Sequence, residues 1–176
     1  MAEMPTQVDA GIAVHPKLQN LLTFWQYCRG ARALPSRSTM PAEDFKPWMG
    51  HIMIVDPHGD PPRFRVRLHG TRLYGYHGQD LTGWYLDDAV GEPAYSRIVT
   101  PYHAAIRTQS PQYDVMSSPF SGGTVHQLSR LSLPCAEDGR TVDQLIVGIY
   151  LQSQTSDAAG AASRPPRTGA HAPVRV

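Results

Sequence analysis

Among the 176 residues, eight histidines and two cysteines have chemistry open to more than one use. His69, His77 and Asp80 fall in one short stretch and carry donor atoms for a metal ion, but their spacing matches no compact ligand pattern. A loop of mixed polarity accounts for them without a metal. His126 and Asp143 lie on what read as the strands of the last hairpin and form an acid–base couple on paper; a cross-strand polar contact explains the same pair. Cys28 and Cys135 stand far apart, with no CxxC and no ligand-spaced histidine beside either. That argues against a zinc ribbon or a disulfide scaffold, and for the reducing cytoplasm. No GxSxG, HExxH, P-loop or dinucleotide fingerprint occurs, so catalysis has no positive witness.

What those groups can do depends on the elements that carry them. A chain of this length with 41% hydrophobic residues builds one sizeable core, which excludes a chain disordered throughout. A formal net charge of +1 supplies no field to steer it toward nucleic acid or anionic lipid. No run approaches the roughly 20 apolar residues of a membrane span, and the stretch from Met1 to Val14 lacks the pattern of a secretory signal. Residues 153–176 hold almost nothing large and apolar, so their ordering entropy has no burial to offset it. They read as a disordered tail, residues 1–15 as a disordered start, and 16–152 as one domain.

Pro16 suits a first helical position, and Leu18, Leu21, Leu22, Trp25 and Cys28 recur at helical spacing up to a stop at Gly30. This stripe packs on its own domain or also makes a dimer seam, with Leu18, Leu21, Leu22 and Trp25 as the interface. A short helix opens at Ser38 or Thr39 and closes at Pro47 beside Trp48. The run from His51 to Val55 then reads as a buried strand.

From Arg63 to His69 the alternation is strict, with Phe64, Val66 and Leu68 facing one way and Arg63, Arg65, Arg67 and His69 the other. The three arginines read as a solvated face that discourages edge pairing rather than as an anion site. Glycines at 70, 75, 78 and 83 make the next stretch a connector of short helices, and Pro93 to Gln109 returns to helical spacing. Three strands finish the domain: Gln112 to Ser117, Thr124 to Pro134 and Val142 to Leu151. The last is apolar on both faces, like the first, so the two belong together in the sheet centre. The expected architecture is α+β: five antiparallel strands in order 2-1-5-4-3, a helical crossover on one face, and flanking N-terminal helices.

This strand order is similar to that of the PAS fold, and the motifs carry the likeness further. Gly70-Thr71-Arg72-Leu73 followed by Gly78-Gln79-Asp80-Leu81-Thr82-Gly83, after the strand ending at His69, resembles the signature of a family of bacterial single-domain PAS proteins. Ala33-Leu34-Pro35-Ser36-Arg37, Lys46-Pro47-Trp48-Met49-Gly50, Leu133-Pro134 and Asp138-Gly139-Arg140 stand in the matching order around it. The resemblance implies a sensory or regulatory module that holds a small ligand between sheet and crossover, or that signals by altering a dimer. For many members of that family no ligand is established.

The candidate pocket takes Leu73, Tyr74, Tyr85, Ile98, Tyr102, His103 and Ile106 from the crossover, and Leu131, Leu133, Leu145, Val147 and Ile149 from the sheet. The same side chains equally well fill a solid core. The family likeness would make His103 an axial haem ligand, whereas a boundary histidine explains it without a cofactor. The reactive-cysteine motif of flavin-binding relatives is missing from the crossover, and the cofactor stays unassigned.

The expectation is therefore a non-enzymatic, cytoplasmic sensor of a small-molecule ligand. Its output passes through the N-terminal helix to a homodimer or protein partner, since the chain carries no kinase, cyclase or DNA-binding segment. Nucleic acid and membrane are not among the expected partners. The alternative is a small cone-shaped α+β lyase, isomerase or cyclase, with His126 or His103 beside a carboxylate in a deep pocket.

Overall fold

A computed structural model describes residues 14–117 and 127–152. Of the segments expected to be disordered ends, Val14 packs against the core and His15 caps a helix. The remainder of both segments lies outside the described residues. Helix α1 (Pro16–Arg29) has proline in its first turn and ends at Gly30, whose φ of 56° suits a residue without a Cβ. The expected short helix is instead a pair of 3-10 helices, Arg37–Thr39 and Ala42–Trp48. Pro41 and Pro47 lack the amide protons that a regular α-helix would use, and the tighter winding still buries Phe45 and Trp48.

Strands β1 (Ile52–His58) and β2 (Arg63–His69) form the first hairpin. The crossover follows as the short helices α2 (Tyr74–His77) and α3 (Leu86–Ala89) and the longer α4 (Ala94–Thr108). Strands β3 (Gln112–Ser117), β4 (Gln127–Cys135) and β5 (Gln144–Leu151) complete one antiparallel sheet in the order β2-β1-β5-β4-β3. The first and last strands are adjacent, as their two-sided apolarity requires, with Ile52 opposite Gly148 and Met53 opposite Val147.

Both faces of the sheet are covered. A Cβ placed on Gly148 would lie 2.7 Å from Leu18 and 2.8 Å from Leu21, so the face carrying Gly148 looks at α1. Leu131 pairs with Gly148 and Leu133 with Ile146, which puts both leucines on the α1 face and not in the expected pocket. The phase of β4 is set by this pairing, and a shift of one residue moves every side chain to the opposite face. The other face carries Met53, Val147, Ser132 and Arg130, and Arg130 reaches the Ile98 carbonyl on α4 at 2.8 Å. This is the crossover face.

Strand β2 departs from its expected alternation. Asp56 opposes Arg65 and Val55 opposes Val66, but Ile54 opposes Leu68 and Met53 opposes His69, leaving Arg67 as the extra residue of a bulge. Beyond it the faces exchange. Leu68, expected inside, is 44% exposed, whereas His69, expected outside, is only 5% exposed on the crossover face. The arginines of the strand are all engaged: Arg63 on Asp87 and Asp88, Arg65 on the Gly83 carbonyl, and Arg67 on Asp56.

Candidate functional site

The crossover face encloses a cavity of about 20 Å³, lined by Met53, His77, Leu81, Leu86, Ile98, Tyr102, Met116, Arg130 and Ile149. That is room for about one water molecule. Its wall is polar where a core would ordinarily be apolar. Arg130 is 1% exposed and projects from the middle of β4, a strand buried along almost its whole length. It is tied down on three sides: by both oxygens of Asp114 on β3 at 2.9 and 2.7 Å, and by the Ile98 carbonyl. Burial works against the guanidinium charge and the Asp114 carboxylate outweighs it, so the group stays ionised and its pKa lies above the ordinary value. Tyr102 is fully buried, with its ring 5.3 Å from the guanidinium. Its hydroxyl lies beside Arg130 without a hydrogen bond of good geometry, and burial raises its pKa.

The second polar arm begins at the bulge. His69 Nε2 and His77 Nδ1 are 2.7 Å apart, joining β2 to α2 through a buried imidazole pair. Burial, with His69 and Arg130 adding to it, drives the His77 pKa down to about 3, and burial lowers His69 as well. Both rings are neutral at pH 7. The far nitrogen of His69, Nδ1, lies 3.4 Å from the Leu81 amide and 3.6 Å from Asp80. Asp80 is held by the amide and hydroxyl of Thr82 and by the Tyr74 hydroxyl, which together keep its carboxyl below the usual range. His69, His77 and Asp80 therefore do come together, but in a line. The carboxylate and the second imidazole lie at opposite nitrogens of His69, an arrangement that cannot close around one metal ion.

The expected site residues divide. Ile98, Tyr102 and Ile149 line the cavity, while Leu73, Leu145 and Val147 are buried in the core around it. Tyr74 lies at the surface, stacked on His69 and bonded to Asp80. Tyr85 sits at the edge of β2, bridged to Arg65 and covered by the Arg63 guanidinium. Ile106 is half-buried against the core, and His103 is exposed, with its ring edge-on to Phe64 at 5.0 Å. A haem ligand would have to face the interior, and the cavity has no volume for an aromatic cofactor.

His126 lies outside the described residues, and Asp143 accepts from the Glu137 amide in the β4–β5 turn. Leu18, Leu21 and Trp25 are buried on their own sheet and Leu22 is half-buried, so the expected seam has no exposed apolar surface at Leu18, Leu21 or Trp25.

Sequence reasoning passes over Arg130, Asp114, Met53 and Met116. The available signal is an arginine amid the leucines of β4 and an aspartate in the preceding strand, which become a cross-strand ion pair once the register is known.

A family model described as PAS domain matches residues 13–150. The chain belongs to the PAS domain family. Among solved structures, this PAS domain is similar to a chain from work on a flavin analogue and light-oxygen-voltage domain mechanism. That chain is 9% identical, with 64% of this chain and 84% of that one covered and a TM-score of 0.47. It is also similar to the PAS domain of Bordetella pertussis BvgS, 14% identical over 78% of this chain and 89% of that one, with a TM-score of 0.45. No curated protein matches it. Among the described residues, no helix of the PAS domain is long and apolar enough to cross a membrane.

Proposed function

We propose that this PAS domain is a non-enzymatic sensory or regulatory module of the cytoplasm that reads a small polar ligand on the crossover face. Its output passes through α1 to a partner protein or a second copy. The observation that carries this reading is the bulge in β2, which gives up a buried leucine to install His69 behind His77, opposite the Arg130 and Tyr102 groups of the same cavity. Bulges re-aim side chains beside functional sites, and burying two imidazoles carries a desolvation cost that the leucine turned outward would not. Room for more than a water has to come from wall movement, and Met53 and Met116, unbranched and easily repacked, are the walls suited to it.

The enzyme alternative is weaker on the same geometry. It needs a histidine within hydrogen-bond reach of a carboxylate in a deep pocket, and His69 stands 3.6 Å from Asp80 beside a water-sized void.

Native mass spectrometry of freshly purified protein, with an absorbance scan and a thermal-shift screen of small metabolites, tests the proposal. A retained or stabilising small molecule that is lost in Arg130→Met is the expected result. A protein that comes off the column empty and answers to no compound in the screen overturns the ligand reading.

A further inference from the structure

Away from the cavity, three rings meet where α1 begins. His15 stacks on Tyr150 of β5, with centroids 4.5 Å apart, and His51, just before β1, stacks on the same ring at 4.2 Å. His15 is also the N-cap of α1: its Nδ1 accepts from the Lys17 amide at 3.2 Å. An amide N–H at that distance requires Nδ1 to carry a lone pair, so the cap exists only while the imidazole is neutral.

His51 is arranged differently. Its Nδ1–H donates a hydrogen bond to the Ile149 carbonyl at 3.1 Å, so Nε2 can be protonated without breaking that bond. The charges acting on the two rings from their surroundings are those of Lys17 and of each other on His15, and of Arg72 on His51, all positive. One imidazolium on the face of Tyr150 is tolerable through attraction to the π system. A second, with Lys17 and Arg72 nearby, is not.

We propose that the His15–Tyr150–His51 stack is an acid-released latch on the first turn of α1. The turn it holds carries Leu18, whose side chain closes over Gly148 of β5. Mild acid protonates His51, then removes the lone pair by which His15 caps the helix, and the first turn detaches from the sheet. The direction follows from linkage. In the latched state both histidines lie below their ordinary value of 6.5, His15 through burial and then the charges of His51 and Lys17, and His51 through burial above all. The latch is therefore fully engaged above about pH 6.5 and weakens as the pH falls below it. Its use as a signal rests on the reading of α1 as the output element, whereas its existence does not.

Amide hydrogen exchange of the full chain between pH 7.5 and pH 5, corrected for intrinsic exchange rates, tests the latch. Protection of the Leu18 and Gln19 amides is expected to fall about tenfold more than that of the β5 amides, in line with the loss of one helix cap. His15→Asn, which caps without titrating, should keep the protection at pH 5. His51→Gln should shrink the loss without abolishing it. Equal exchange in the wild type at both pH values, or the same acid loss in His15→Asn, overturns the latch. Neither result depends on whether the crossover cavity binds a ligand, and an empty cavity leaves these amides unaffected.

Discussion

On its α1 side the sheet meets the rest of the domain through Leu131, Leu133, Ile146 and Gly148, with Trp25 donating its indole N–H to the Pro134 carbonyl at 2.9 Å. On its crossover side it presents Arg130, Ser132 and His69 to α2 and α4 and leaves a small void among them. Both faces are buried, yet beyond the His15–Tyr150–His51 stack at the start of α1 the first is filled by apolar contact, whereas the other is held in part by charge and hydrogen bonds. Aliphatic packing is strong whatever the pH or solute, because dispersion and water exclusion do not titrate. A buried ionic and imidazole network is costly to assemble and sensitive to any proton or ligand that enters it. The α1 face is therefore suited to support and the crossover face to input.

The difference is sharpest at Asp114. Removing it leaves the Arg130 guanidinium, 1% exposed, with backbone carbonyls alone. Asp114→Ala is expected to cost about 3 kcal/mol, the lower end for breaking a buried pair since Asp114 itself is partly exposed. The shift in the urea midpoint measures it. Adding Arg130→Met should recover most of the loss, because the apolar pair avoids the desolvation that the ion pair suffers. If the double variant is no better than Asp114→Ala, the crossover face is held by packing as well and the contrast fails.

A second test uses pH. With His77 at about 3 in the folded state and 6.5 when unfolded, the native protein binds fewer protons than the unfolded chain between those values. Stability is therefore complete above pH 6.5 and declines as the pH falls, by about 2 kcal/mol between pH 6.5 and 5. His77→Gln should flatten that decline. On the α1 face Leu133 pairs with Ile146, four residues along β5 from the Tyr150 that carries the two stacked histidines, so Leu133→Val should lower stability by the same amount at both pH values.

How far the fold and the site can be read from the sequence follows the same division. Strand order is legible because the two central strands are apolar on both faces, and α1 because proline, a leucine–tryptophan stripe and glycine delimit it. The site is not. Alternation in β2 carries through the sequence unbroken, and the bulge at Arg67 that turns His69 inward leaves no mark in residue type: it arises from pairing with β1. Leu131 and Leu133 fall on the unexpected face for a related reason, since the phase of β4 is fixed by Gly148, whose missing side chain makes room for α1. Composition reports which residues can be buried, and register decides against what.

Gly148 also gives the smallest effect and the most direct test of the α1 face. Its φ is not positive, so alanine fits the backbone there, and reduced freedom of the unfolded chain alone would stabilise the protein by about 0.4–1 kcal/mol. Against that, the new methyl would meet Leu18 and Leu21 well inside van der Waals contact, and overpacking of a filled core costs roughly 1–3 kcal/mol. The packing penalty outweighs the entropic gain, so Gly148→Ala should lose about 1 kcal/mol net, with the first turn of α1 exchanging faster and the pH dependence from His77 unchanged. A variant as stable as the wild type would mean that Leu18 and Leu21 move aside freely. In that case the α1 face is as adaptable as the cavity opposite it.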